Sequence, residues 1–430
     1  MTLPLTSAGR RGVLLALAFA VAIVLAFFSI RTAVAEHSSE LPTRQGLERA
    51  TRLEPAEFRY WYLLGRYWQF NLEDADAPRA IRAYTTALTL NPHDAEVWSD
   101  LATAYESEGD IPAARDAFLH AERAYPLSAE VSWRYGNFLL RQGELDAAFL
   151  EIRHAVEADP KLAAEAVSRS LRAEPNFDLL VDRVLPRNSV AYLYAIWAQT
   201  SEGHADNAYK LWKGLASLHP KLDFGYSFTL LAALRQEKKF QEALEVWDQA
   251  LGFSGLSNIS SPPGSILWDG GFESGITGGY AWTIPDGLPG VHMSIDSHEK
   301  HSGAHSLQLL FNGKFNLQLT GPCHDVPVEP ATTYRFSAWV RTQSLTTDQG
   351  IRFQLRPWAA NDSPTSVTSD LRGTQPWTRL ETSWSAGKDT HEMQVCALRY
   401  SSQEADGKIQ GMAWLDDVAL VPTGAEPAKP

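Results

Sequence analysis

The stretch that decides the fold of the first half reads AEVWSDLATAYESEGDIPAARDAFLHAERAYP, residues 95–126. Apolar residues recur in it at intervals of three and four, first around Trp98 and Leu101 and again around Phe118. That periodicity predicts two amphipathic helices. Gly109 lies between them, where the chain needs a residue that turns easily. The stretch therefore predicts a helix–turn–helix unit.

The unit recurs along the chain. Proline closes successive units at Pro92, Pro126 and Pro160, each 34 residues after the last. A period of that length is typical of helical solenoids. The units around these prolines resemble tetratricopeptide repeats, and two degenerate units follow around Trp212 and Trp247. We expect an all-α solenoid over residues 31–252.

This resemblance implies a concave groove, lined by the first helix of each repeat, that binds a peptide or helix of a protein partner. Some family members clamp a peptide carboxyl terminus with a lysine and asparagine set. Asn137 matches that set, but Ser99 and Trp133 stand where it needs basic residues, so a clamp is not expected. The alternative is that the array is only a stiff spacer. The predicted groove positions are Tyr62, Arg66, Ser99, Thr103, Trp133, Asn137 and Arg141.

Residues 12–30 read GVLLALAFAVAIVLAFFSI and carry no charge. At ~1.5 Å per residue this helix nearly matches the ~30 Å hydrocarbon core of a bilayer. Arg10 and Arg11 precede it, which predicts a cytoplasmic segment at residues 1–11 and export of the rest. We expect a single-pass protein of the inner (cytoplasmic) membrane, with its bulk in the periplasm or outside the cell. The alternative is a signal peptide cleaved after Ala33-Val34-Ala35, although the apolar run is long for one.

After a turn-rich linker at residues 253–265, short alternating strands separated by Gly, Pro, Asn and Asp occupy residues 266–423. They predict an all-β jelly-roll sandwich, with a disordered tail at 424–430. Five motifs in order resemble carbohydrate-binding modules of families 4 and 9, in the galactose-binding-like group. These motifs are WDGGFE (268–273), HSGAHSLQL (301–309), PATTYRFSAWVRT (330–342), WTRLETSW (377–384) and AWLDDVAL (413–420).

Strand alternation suggests where a glycan would bind. A period of two places alternate side chains of YRFSAWVR and IRFQLRPW on opposite sides of a sheet. One set is apolar and predicts core, while the other combines aromatic rings with guanidinium and amide donors, which suit sugars. Its arginines favour an acidic polysaccharide; the alternative is an ordinary polar outer face. The predicted glycan-binding residues are Arg335, Trp339, Arg341, Arg352, Gln354, Arg356 and Trp358.

Modules of this kind often hold a structural calcium between the opening and closing strands. The resemblance points to Glu273 and Asp416 as ligands, completed by carbonyls at residues 299–301. Trp414, Asp416, Val418 and Leu420 are expected to share one buried face, and calcium takes carboxylate and carbonyl oxygens. The alternative is a hydrogen-bonded pair of structural carboxylates without metal.

Composition excludes several functions. The net charge of −13 argues against nucleic acid as a partner, because phosphates demand a basic face. Cys323 and Cys396, the two cysteines of the chain, form no CxxC pair, and a disulfide or two buried thiols are both compatible with the sequence. No GxSxG, HExxH or phosphate-binding glycine loop occurs, so we expect no enzyme activity.

The three segments together predict a multidomain protein: a transmembrane helix, an all-α solenoid and an all-β jelly roll. We expect a membrane-anchored scaffold whose repeats recruit a protein partner and whose jelly roll binds glycan, in the export or assembly of surface polysaccharide. The alternative is a purely protein-binding scaffold with a structural jelly roll.

Overall fold

The structure, a computed structural model, describes residues 8–41, 43–257, 259, 261–358 and 362–423; the tail predicted at 424–430 lies outside them. Two compact units divide the chain at residues 194 and 195. The described helices are α1 Ala8–Glu40, α2 Arg44–Leu53, α3 Phe58–Phe70, α4 Ala77–Leu90, α5 Ala95–Ser107, α6 Ile111–Ala124, α7 Ala129–Arg141, α8 Leu145–Ala158, α9 Ala163–Ala173, α10 Phe177–Val184, α11 Ser189–Ser201, α12 Ala205–Ala216, α13 Phe228–Gln236 and α14 Phe240–Ser254.

The first unit starts with one helix that is long and apolar enough to cross a membrane, over Arg11–Glu40. Side chains of the described residues 11–30 are exposed. The predicted apolar span at 12–30 therefore lies inside a longer helix. By length and composition, such a helix suits a membrane anchor or a signal sequence.

The repeats of the first unit are built by the same local devices each time. Asp94 and Ser128 cap α5 and α7, because each side chain accepts a hydrogen bond from the backbone N–H three residues on. Gly109 and Gly143 follow these helices with φ of +80° and +78°, a conformation that glycine adopts without strain. Buried alanines such as Ala102 allow the paired helices to approach closely. The predicted helix–turn–helix solenoid is confirmed.

The second unit contains the last helices and a sandwich of two antiparallel sheets. Sheet 1 has the order β1-β4-β9-β6-β7 and sheet 2 the order β2-β3-β10-β5-β8. Their strands are β1 Trp282–Thr283, β2 Val291–Asp296, β3 Ser306–Asn312, β4 Leu319–Pro327, β5 Thr333–Leu345, β6 Arg352–Pro357, β7 Ser366–Val367, β8 Gly373–Ser385, β9 Glu392–Arg399 and β10 Gln410–Pro422.

The inward side chains of both sheets form one apolar core. Phe336 of β5 and Phe353 of β6 are fully buried, with ring centroids 5.2 Å apart. Cys323 and Cys396 lie opposite each other on β4 and β9 and form a disulfide. The β-sandwich expected after the linker is therefore present, and the cysteines are joined rather than free.

The closing strand departs from the predicted alternation. Register against β5 advances from Asp416–Trp339 to Ala419–Ser337, so β10 contains one extra residue at this point. Ala413 and Leu415 face the core before this bulge, and Val418 and Leu420 face it afterwards. The expectation that Trp414 and Asp416 share a face with Val418 and Leu420 is wrong, because a bulge reverses which residues point inward.

Candidate functional site

The residues predicted to bind glycan lie on two different sheets. Arg335, Trp339 and Arg341 belong to β5 in sheet 2, whereas Arg352, Gln354 and Arg356 belong to β6 in sheet 1 and Trp358 directly follows that strand. The alternation within each strand is as predicted, since Phe336 and Phe353 are buried between outward neighbours. Each group is therefore on the outer face of its own sheet. The seven predicted glycan-binding residues therefore do not form one surface.

A cleft of about 640 Å³ lies on the outer face of sheet 2. Trp339 lies on β5 opposite Arg379 of β8, so the indole and the guanidinium are neighbours across the sheet. Arg379 also donates from Nη2 to Ser337 Oγ at 3.2 Å. The cleft is lined by side chains of three strands of sheet 2 and by three neighbouring loop segments. The strand residues are Arg335, Ser337 and Trp339 of β5, Arg379 of β8, and Asp417, Ala419 and Val421 of β10; the loop residues are 261–263, Gly271, Glu273 and 302–304.

His301 covers one face of the Trp339 indole ring. Its ring stacks on Trp339 with centroids 4.0 Å apart and planes 15° from parallel. His301 Nδ1 lies 2.5 Å from Asp417 Oδ2, which fixes the imidazole in place. One face of the Trp339 indole is therefore occupied by His301.

Glu273 and Asp416, the predicted calcium ligands, hold the loop at residues 301–305. Asp416 Oδ2 accepts from the backbone N–H groups of His301 and Ser302, at 2.7 and 3.1 Å. Glu273 Oε1 accepts from Ala304 N at 2.7 Å. A Cβ on Gly303, whose φ is +62°, would lie 2.0 Å from Glu273 Oε1, so the loop closes tightly over the carboxylate.

A calcium ion needs six to eight oxygen ligands, and in this structure backbone N–H groups donate to both predicted carboxylate ligands. Among the described residues no group of three or more His, Cys, Asp or Glu side chains is placed to hold a metal. Burial raises the pKa of Asp416 to about 6. Calcium binding stays a prediction, which thermal melts with calcium and with EDTA check.

The remaining predicted arginines are engaged within the protein. Arg341 Nη1 donates to Glu299 Oε1 at 2.6 Å, Arg352 Nη2 lies 3.3 Å from Asp370 Oδ2, and Arg356 Nη2 donates to Gln394 Oε1 at 2.5 Å. Gln354 lies half-buried between them on β6. These side chains stabilise the sandwich surface.

Trp358 packs against the helical part of the second unit. The Arg235 guanidinium of α13 lies 4.5 Å from its ring centroid. Arg235 donates to both carboxylate oxygens of Glu392 at 3.0 Å and to Asp325 at 2.8 Å, and Tyr280 donates to the same glutamate. The side chain of Arg235 is 10% exposed and that of Glu392 1%. Trp358 therefore covers a buried ion pair.

The helical repeats of the first unit form a second candidate site. Thr103, Trp133, Asn137 and Arg141 line one pocket of about 330 Å³, as predicted for the groove. Ser99 does not line it, because Ser99 is buried and donates from Oγ to Ala95 O. The pocket also includes residues not predicted, namely Phe70, Phe118, Glu130, Arg134 and Arg169.

Asp100 organises the wall beside this pocket and was missed from the sequence. Its buried carboxylate accepts from Tyr62 Oη at 3.0 Å and from Arg134 Nη1 at 2.5 Å, while Arg66 donates to Tyr62 Oη. Burial raises the pKa of Tyr62, and Asp100 adds to that shift. A charged residue among the apolar ones of α5 was the available signal.

Arginine and aromatic groups meet at the pocket itself. Arg169 lies 5.2 Å from the Trp133 ring centroid and donates to Asn137 Oδ1 at 2.9 Å. Arg141 forms two hydrogen bonds with Glu106, at 2.7 and 2.8 Å. Asn137 therefore already has a partner within the repeats.

Comparison with known proteins bears on the repeats. A family model described as tetratricopeptide repeat matches residues 72–126 and 100–163. No curated protein matches the chain.

Similar solved structures include Pseudomonas aeruginosa pilF, at 16% identity over 47% of this chain and 78% of that one, with a TM-score of 0.24. The MamA protein is 18% identical over 49% of this chain and 100% of that one, with a TM-score of 0.24. The CBM22-1 xylan-binding domain from Paenibacillus barcinonensis Xyn10C is 20% identical over 39% and 100%, with a TM-score of 0.28. TM-scores this low carry no argument about function. Residues 72–163 match the tetratricopeptide-repeat model, and the chain continues into an all-β sandwich of two antiparallel sheets.

Proposed function

We propose that this protein is a membrane-anchored binding protein of the cell envelope. Its repeats hold a segment of a protein partner, and its sandwich binds glycan in the sheet 2 cleft. The helix over Arg11–Glu40 anchors it in the inner membrane, with the bulk exported. Export or assembly of surface polysaccharide is the setting that unites a protein-binding array with a glycan-binding module.

The observation that carries the glycan proposal is the composition of the cleft. Trp339 offers an aromatic surface for the C–H groups of a pyranose. Arg335 and Arg379 flank it with donors that suit hydroxyl and carboxylate groups. An aromatic platform beside planar donors, in a cleft of about 640 Å³, is the combination that a sugar residue requires.

Charge pairing inside the cleft favours an acidic glycan. Glu273 and Asp417 accept hydrogen bonds from the loop 301–305 and so are already satisfied. Arg335 is exposed and takes part in no ion pair among the described residues, whereas Arg379 Nη1 lies 3.2 Å from Glu381 Oε1. The uncommitted donor of the cleft is thus a guanidinium, which binds a carboxylate through two parallel hydrogen bonds. A polyuronate fits this better than a neutral polymer.

The two tryptophans provide the test. The full chain in detergent is applied to immobilised polyuronate and neutral xylan. Trp339→Ala should abolish binding, whereas Trp358→Ala should retain it, since Trp358 covers Arg235 on the other sheet. Equal binding by wild type and Trp339→Ala would refute the cleft as the glycan site.

His301 gives the alternative a specific basis, because it covers one face of Trp339. If wild type binds no polysaccharide at all, the sandwich is a structural module and the protein is a scaffold for protein partners alone.

The protein partner is tested at the groove. A photo-crosslinking residue at Thr103, which lines the pocket, should yield one discrete adduct in native membranes that Trp133→Ala removes. The same residue at Thr85, exposed on α4, is the control. Matching adducts at both positions, or an adduct insensitive to Trp133→Ala, would count against the groove.

A further inference from the structure

Helix α1 extends well beyond its apolar part. The uncharged run ends at Ile30, yet the helix continues for ten residues to Glu40. Exposure changes at the same point. Side chains in the apolar part are exposed, whereas Arg31, Val34, Ala35 and Ser38 are partly or fully buried. Their spacing of three and four residues places them on one helix face, so this face packs against protein.

That face packs against α2 and α3 at very short range. Ala35 is fully buried and clusters with Ala50 and Tyr60. A Cβ on Gly46 would lie only 2.5 Å from the backbone oxygen of Ser38. The two helices therefore approach so closely that only glycine fits at position 46.

Polar groups fix the same contact. Arg31 donates from Nε and Nη2 to the two carboxylate oxygens of Glu54, each at 3.0 Å, and Thr32 Oγ1 donates to Glu54 at 2.9 Å. Tyr60 Oη donates to Glu36 Oε2 at 2.7 Å. A two-pronged pair of this kind defines orientation as well as distance. The contact combines small-residue packing with directional bonds, as helix pairs inside a fold do.

We propose that residues 31–40 are the first helical segment of the solenoid, and that α1 is retained as membrane anchor and structural helix instead of being removed as a signal peptide. The inference rests on the anchoring proposed above. Cleavage after Ala35 would remove Arg31, Thr32 and Ala35 together. It would leave Glu54 without these partners and uncover the close-packed surface around Gly46.

The local conformation agrees with retention. The peptide after Ala35 lies inside a continuous helix, where Val34 O accepts a hydrogen bond from Ser38 Oγ at 2.6 Å. No glycine or proline occurs between Arg31 and Glu40, so no helix-breaking residue opens this segment. The same ten residues that carry the small-x-small pattern are therefore committed to a helix–helix contact.

Two substitutions in the small-x-small pattern distinguish a retained helix from a cleaved signal peptide. Ala33 is exposed and Ala35 is buried, but a signal peptidase would need both to be small. The full chain with a carboxyl-terminal tag is isolated from whole cells, membrane and soluble fractions together, and its intact mass is measured. We expect wild type, Ala33→Leu and Ala35→Leu all to retain residues 1–35. We also expect Ala35→Leu to lower the melting temperature in detergent by several degrees and Ala33→Leu to leave it unchanged.

The inference would be overturned if the wild-type protein began at Glu36 and the Ala33→Leu variant were longer at its amino end. Equal melting temperatures for the two uncleaved variants would overturn the structural role. If the protein is cleaved but still binds polysaccharide, the inference fails and the glycan proposal stands. If the protein is not cleaved but binds no polysaccharide, the inference stands and the glycan proposal fails.

A second pair checks the polar contact. Glu54→Ala should lower the melting temperature of the full chain, because it leaves Arg31 without its partner. Glu40→Ala, at the exposed end of α1, should not. A melting temperature that is unaffected by Glu54→Ala would contradict docking through this pair.

Discussion

The two outer faces of the sandwich show how similar strand sequences acquire different tasks. β5 presents arginine and tryptophan outward, and β6 presents arginines outward and is followed directly by Trp358. On sheet 2 these groups open onto a cleft around Trp339. On sheet 1, Trp358 packs over Arg235, which α13 supplies from outside the strands. Each tryptophan thus has a partner on one face, His301 on Trp339 and Arg235 on Trp358. The outer face of sheet 2 differs because its tryptophan lines a cleft together with Arg335.

Disruption of the buried ion pair between Arg235 and Glu392 should have the largest effect, a loss of stability. Arg235→Met leaves Glu392 uncompensated where burial already raises its pKa, and we expect a loss of about 3–5 kcal/mol in unfolding free energy. Urea denaturation measures it. Arg183→Met is the matched control, because its partner Asp146 is 89% exposed, and it should cost under about 1 kcal/mol. Similar losses in both variants would remove the distinction.

A buried histidine of sheet 1 should make stability depend on pH. Burial lowers the pKa of His324 to about 4. Between that value and the ordinary one of about 6.5 the unfolded chain binds a proton that the folded chain does not. The stabilisation is thus complete above about pH 6.5 and declines towards about pH 4, by up to about 3 kcal/mol.

Urea denaturation of wild type and His324→Leu across this range tests the assignment. The variant should lose this part of the pH dependence. Parallel pH profiles for the two proteins would show that His324 is not responsible.

Substitution of a single arginine should have the smallest effect, a loss of glycan affinity, and only on the outer face of sheet 2. Arg335→Ala should weaken polyuronate binding about five- to tenfold, which corresponds to about 1 kcal/mol. Arg356→Ala, on the other sheet and bonded to Gln394, should leave affinity unchanged. Affinity electrophoresis of the full chain compares them, and added salt should reduce the difference. Equal weakening by both would mean that charge acts at long range instead of through the cleft.

The periodic parts of this molecule were predictable, whereas the pairings between distant residues were not. Gly109 and Gly143 mark the turns of successive repeats, and the period of 34 residues makes them recognisable in the sequence. Alternation in β5 correctly separated core from surface, but it cannot assign neighbouring strands to sheets. Arg235 and Glu392 lie 157 residues apart, and no local pattern connects them.

The candidate cleft was half predictable for the same reason. Trp339 and Arg335 follow from alternation, and Arg379 lies in the motif WTRLETSW, where its position opposite Trp339 depends on strand register. The loop around His301 was expected to complete a metal site. In the structure its backbone N–H groups donate to Asp416 and Glu273, and the direction of backbone groups cannot be inferred from residue types.

The extra residue in β10 has a consequence for how this domain can change over time. Upstream of it, Trp414 and Asp416 point to the side of the cleft loop, and downstream Val418 and Leu420 fill the interior. Loss of Asp417 would restore strict alternation and leave Val418 and Leu420 facing the interior, but it would remove the carboxylate that accepts from Ser302 Oγ and lies beside His301. We expect descendants of this domain that lack this residue to keep the sandwich core and to release the loop next to Trp339.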